Sequence, residues 1–156
     1  MAKDAQDLWW GLYQENLSHA RHHEQQRTAI TGYFAAIAAG ILGLVSFDKC
    51  INLHDTPLLT LLLLTGVFGS VLSVKQYERY VHHLERARQY RNALDHSVSG
   101  GRLEELKKIG DEATALMFPH LSRWKLVYFW VLLHLLIAFM ALMLLVGGFL
   151  GYFVCA

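Results

Sequence analysis

Residues 126–155 read LVYFWVLLHLLIAFMALMLLVGGFLGYFVC, with no Lys, Arg, Asp or Glu among them. At about 1.5 Å per residue such a helix is long enough to cross a hydrocarbon core of roughly 30 Å. A buried helix of a water-soluble protein seldom runs so far without a charge. The chain therefore reads as a membrane protein. Its composition agrees, with 54% apolar and 17% charged residues, more apolar than an ordinary soluble domain. At 156 residues it has room for one domain.

Two further apolar runs fit the same reading. Residues 28–47 contain Gly32, Ala36 and Gly40 on one helical face, with Ala39 and Gly43 on the adjoining one. Residues 57–74 contain Gly66 and Ser70, again four apart. Small residues at this spacing let helix backbones approach closely in lipid, so both faces read as packing seams, within one chain or between chains. Gly147 and Gly151 repeat the spacing near the end of the third run, 126–150.

The polar segments read as helices continuing out of the spans. Residues 5–27 carry Leu8, Trp9, Leu12, Tyr13 and Leu17 at helical spacing. They suit a cytoplasmic helix or one lying on the membrane surface. They contain no apolar core of a secretory signal, so the first span is expected to be retained. Pro57 suits the start of a helix, and no Gly or Pro interrupts residues 75–96. Residues 57–96 are thus expected to form one helix of about 60 Å. After the breaker at 97–101, residues 102–118 form another amphipathic helix ended by Pro119. The expected fold is all-α: three spans, with a long antiparallel hairpin extending into a cytoplasmic helical bundle at 75–118.

If the hairpin turns near Asn52, His22 lies opposite His82. His19, His22, His23 and Glu24 then share a layer with Glu78, His82, His83 and Glu85. Three readings stay open: a solvated polar girdle, a pH- or ligand-sensitive latch because His titrates near neutrality, and a metal pair such as His19 with His23. No HExxH or Cys-based pattern supports a metal, and none is assigned. His134 sits about 12 Å into the last span. It either faces a pore or bonds a hydroxyl on another span, such as Thr65 or Ser70.

Arg91, Asn92 and His96 have the form Arg-Asn-x-x-x-His at a helix end. This resembles the Arg-x4-His motif of HEPN ribonucleases, in which Arg and His act on RNA phosphate. In outline the chain is also similar to the small membrane accessory proteins of type VI-B CRISPR systems, and to the SLATT class of defence effectors. SLATT chains typically carry two spans where this one has three. The resemblance implies a homo-oligomeric, pore-forming or membrane-perturbing effector of bacterial anti-phage defence. Its partners would be its own copies, the bilayer, and a cytosolic defence nuclease or RNA. Two alternatives accompany it: a membrane-tethered RNA-binding or RNA-cleaving module, and a non-catalytic scaffold for a cytosolic partner. On the bland reading Arg91 and His96 only charge a helix end. The chain has no glycine-rich phosphate loop or Ser-His-Asp arrangement, and the reading leans away from an enzyme. No cofactor or DNA partner is expected.

Orientation follows from the basic residues, ten of the 14 Lys and Arg lying in 75–125. Lys49 alone lies between the first two spans, and none follows the third. Basic loops stay cytoplasmic. The N-terminus and residues 75–125 are expected inside, and the C-terminus outside, a bacterial inner membrane. Cys50 and Cys155 then lie on the outer side, where a bridge between them can persist or both can remain thiols. A membrane-impermeant thiol reagent applied to intact cells should miss a cysteine placed at Gly100; labelling there would refute this orientation.

Overall fold

The computed structural model describes residues 2–47, 51, 53–97, 100–120 and 124–151. Cys50 and Cys155 lie outside them. Four α-helices and a 3₁₀ turn, and no strand, occur among the described residues. Helix α1 spans Ala2–Val45. The 3₁₀ turn Leu53–Asp55 leads into α2, Thr56–Ser97, with Pro57 in its first turn, where a missing N–H costs nothing. Helices α3 and α4 span Leu103–Met117 and Leu126–Phe149. Helices α1, α2 and α4 are each long and apolar enough to cross a membrane. A helix satisfies its own backbone hydrogen bonds, which is what hydrocarbon requires. The all-α, multi-pass reading holds, and α2 runs unbroken as its uninterrupted sequence implies.

The chain divides into two compact units, and α1 and α2 contribute to both. One comprises Gln26–Lys75 with Leu126–Ala156. Its core is Ala38, Ile41 and Val45 from α1, Leu59 and Leu62 from α2, and Ala141 from α4. Large side chains on the other faces stay exposed, among them Phe68, Phe129, Leu132 and Phe139, as suits helices whose outer surface meets lipid tails.

The small residues of this unit fall into two classes. Gly66, Gly69 and Ser70 are buried on α2. A Cβ on Gly66 would stand 2.6 Å from the Ala138 backbone nitrogen and 2.7 Å from the His134 carbonyl oxygen. The α2 seam is therefore filled by α4, which packs backbone to backbone against it. Gly32, Ala36 and Gly40 are exposed on α1. A Cβ on Gly32 or Gly40 would meet nothing within 4 Å.

The other unit comprises Met1–Gln25 with Gln76–Lys125. Here α1 and α2 run antiparallel: the Gln6 amide reaches Ser97, Asn16 meets His83 and His23 meets Gln76. Helix α3 is anchored by its N-terminal end. Arg102 supplies no side-chain cap. Asp95 of α2 accepts from the Leu103 N–H at 3.0 Å and the Glu104 N–H at 3.5 Å, satisfying free donors at the positive end of the helix dipole. The approach requires Gly101, because a Cβ there would strike Asp95, and Gly100 turns the chain at φ 81°. Phe118 leaves the α region at φ −130°, ψ 63°, the region that a following proline disfavours. The structure departs here from a fully packed bundle. No α3 residue is buried, and the stripe of Leu103, Leu106, Ile109 and Leu116 faces outward, Leu116 being 83% exposed.

The contrast between the two glycine classes is testable. Gly66→Ala forces α2 and α4 apart and should lower unfolding stability in detergent by about 1–3 kcal/mol, the usual cost of overpacking. Gly32→Ala should leave it unchanged. Equal losses at both sites would contradict the packing described.

Candidate functional site

Two polar clusters carry chemistry in this chain, one in each unit. The first lies between α1 and α2 in the unit formed by 1–25 and 76–125. His83 of α2 stacks on two histidines of α1, one turn apart. Its ring centroid is 5.0 Å from that of His19, with planes 28° apart, and 5.5 Å from that of His23, with planes 19° apart. His82 meets His83 edge-on at 5.5 Å, and His22 lies beside His23 at 6.2 Å. The histidines expected to share a layer do so, with His83 rather than His82 as the ring that faces α1.

Two amides that the sequence reading passed over orient these rings. Asn16, 8% exposed, donates from Nδ2 to the Leu12 carbonyl at 2.9 Å. Its Oδ1 is therefore the atom turned to His83 Nδ1, 3.2 Å away. An amide oxygen only accepts, so Nδ1 of His83 carries the proton. Gln76 Oε1 lies 2.9 Å from His23 Nδ1 and assigns that ring in the same way. His19 Nε2 lies 3.8 Å from Glu15 on its own helix. Of the carboxylates in the predicted layer, Glu85 pairs with Arg88 on its own helix, and Glu78 is exposed.

The arrangement suits neutral rings. Partial burial and the positive potential of His19, His23, His82 and Arg86 hold His83 below the ordinary histidine value. At a 5.0 Å separation, two imidazolium charges repel by roughly 3 kcal/mol at an effective dielectric of 20, and by less where water reaches His19. Nearly parallel rings cannot direct their lone pairs to one point. Among the described residues, no group of His, Cys, Asp and Glu is arranged to hold a metal ion.

The second cluster lies in the unit formed by 26–75 and 126–156. His134 is 1% exposed, and its Nε2 lies 3.3 Å from Thr31 Oγ1. Phe34 meets the ring edge-on at 5.7 Å. A Cβ on Gly69 would collide with Nδ1, so the glycine makes room for the imidazole. His134 is thus enclosed by α1 and α2 and does not line an open path. Its hydroxyl partner is Thr31, not Thr65 or Ser70, whose hydroxyls donate to the carbonyls of Leu61 and Gly66 on their own helix. His134 Nδ1 and Trp130 Nε1, one turn apart on α4, have no hydrogen-bond partner.

The Arg-Asn-x-x-x-His group has a structural setting. Arg91 Nη2 donates to Glu104 of α3 and, at 3.1 Å, to Asn92 Oδ1. Its side chain is largely covered, whereas His96 is exposed in the last turn of α2. The guanidinium that the HEPN resemblance would aim at phosphate is occupied by a carboxylate, which repels phosphate. Comparisons with protein-family models, curated proteins and solved structures give no match to this chain.

The Arg91–Glu104 pair should therefore matter to α3 rather than to RNA. Arg91→Ala and Glu104→Ala should each raise backbone hydrogen exchange across Leu103–Met117 while leaving exchange in α4 unchanged. Unchanged exchange in α3, with an RNA-cleaving activity lost on Arg91→Ala, would reverse the assignment.

Proposed function

We propose that this chain is a homo-oligomeric membrane effector, assembled through its spans and acting by forming a pore or disturbing the bilayer. The observation that carries the reading is the split between the two small-residue faces. Gly66 and Gly69 are used against α4 within the protomer, while a Cβ on Gly32 or Gly40 would meet nothing within 4 Å among the described residues. Lipid provides no hydrophobic gain when helices meet, so a close-packing face is most useful against another helix. Three spans are also too few to enclose a channel within one chain, and a ring of identical contacts satisfies every copy alike.

On this reading the membrane is a bacterial inner membrane. The N-terminus and residues 75–125 lie in the cytoplasm, in keeping with the basic-residue asymmetry. The setting is anti-phage defence, as the resemblance to type VI-B accessory proteins and SLATT effectors implies, with a cytosolic nuclease or RNA as a partner. His134 enters as a positioning group inside the protomer, because Thr31 and Gly69 enclose it.

The mass of the protein in lipid nanodiscs tests the assembly. The wild type should exceed one protomer. Gly40→Leu should reduce it to a monomer of normal helicity and abolish dye release from loaded vesicles. A wild-type monomer, at rest and while releasing dye, would refute the reading.

A further inference from the structure

The histidine stack joins two helices and has few other contacts of its kind around it. From α1, His83 is faced by His19, His23 and the Asn16 amide; from its own helix, by His82 and Arg86. The charged or chargeable groups that lower its pKa, His19, His23, His82 and Arg86, are cationic or become so on protonation. The carboxylates on these stretches are Glu15, which lies near His19, Glu85, which pairs with Arg88, and Glu24 and Glu78. Glu15 and Glu85 are thus engaged by groups other than His83.

From this geometry we infer that the imidazole stack is a proton-operated clasp between α1 and α2, closed when its rings are neutral and opened when more than one of them takes a proton. The bond to Asn16 survives protonation, because an imidazolium still carries the Nδ1 proton that the amide oxygen accepts. What fails is the stacking. Rings that attract one another when neutral become like charges about 5 Å apart. His19 is half exposed, while His83 is the more enclosed ring. A second charge within the stack drives the helices apart.

The direction with pH follows. The closed clasp holds His83 below its ordinary value of 6.5, so the open state binds more protons between the two values. Closure is fully favoured above about 6.5 and is progressively lost as pH falls below it, until the lowered value is passed. The clasp belongs to the unit of 1–25 and 76–125, and does not depend on assembly through the spans.

Pulsed electron resonance between spin labels on the full chain in nanodiscs tests this. The labels are carried by Gln14→Cys and Gln89→Cys, with Cys50 and Cys155 replaced by Ser. The label separation should stay constant from about pH 8 to about pH 7, then shift to longer distances towards about pH 5. His83→Phe keeps a flat ring that takes no proton, and should hold the short distance throughout; His19→Gln with His23→Gln should do the same. Helicity measured alongside should not change. An unchanged distance in the wild type, acid opening that persists in both variants, or opening that only tracks lost helicity would each overturn the inference.

Discussion

Hydrocarbon offers helices no hydrophobic reason to associate, because lipid tails are as apolar as leucine. Whatever holds the span unit together must come from close contact and from polar groups with nowhere else to go. The α2–α4 contact supplies both. Gly66 lets the α4 backbone reach a distance that any side chain would forbid, and Gly69 lets the His134 ring enter between the helices. The imidazole then reaches Thr31 on α1, so one polar residue ties all three spans. The aliphatic core of Ala38, Ile41, Leu59, Leu62 and Ala141 fits around that contact without having to drive it.

The other unit solves a different problem, since its residues are polar enough for water. Its helix pairing rests on sparse, directional contacts: amides against imidazoles, imidazoles against one another, and Arg91 and Asp95 holding the N-terminal end of α3. Contacts of this kind lie partly or wholly open to solvent, unlike packing between glycine backbones. The apolar stripe of α3 adds no burial to compensate. Mobility and response to conditions are expected where few apolar contacts are buried.

Much of this was legible in the residues. The uncharged run at 126–155 and the absence of Gly or Pro from 75–96 were enough for the helices and their boundaries within a few positions. A turn near Asn52 was enough for the pairing of histidine with histidine. Partner choice was not legible. Spacing marks Gly32–Ala36–Gly40 and Gly66–Ser70 as equally good seams, and only the structure distinguishes the one that α4 occupies. Hydroxyls at Thr31, Thr65 and Ser70 look alike in the sequence, yet two of them turn back to their own helix. Asn16 and Gln76 are isolated amides with no motif around them; their role appears only when His83 and His23 stand opposite. The α3 stripe was readable as an amphipathic face, but periodicity does not reveal that a face has no partner.

The two histidine clusters differ in one physical respect that decides what each can do. His134 is enclosed by Gly69, Thr31 and Phe34 and is cut off from water inside the span unit. Such a residue works as a fixed pin, holding one geometry. The stack of His19, His23 and His83 has a rim open to solvent, so water reaches it without first separating the helices. Its rings are close enough for one charge to be felt by the next. Fixed geometry in the spans and exchangeable charge in the polar unit are therefore consequences of burial, not of residue type. The same imidazole serves as a joint in one place and as a sensor in the other.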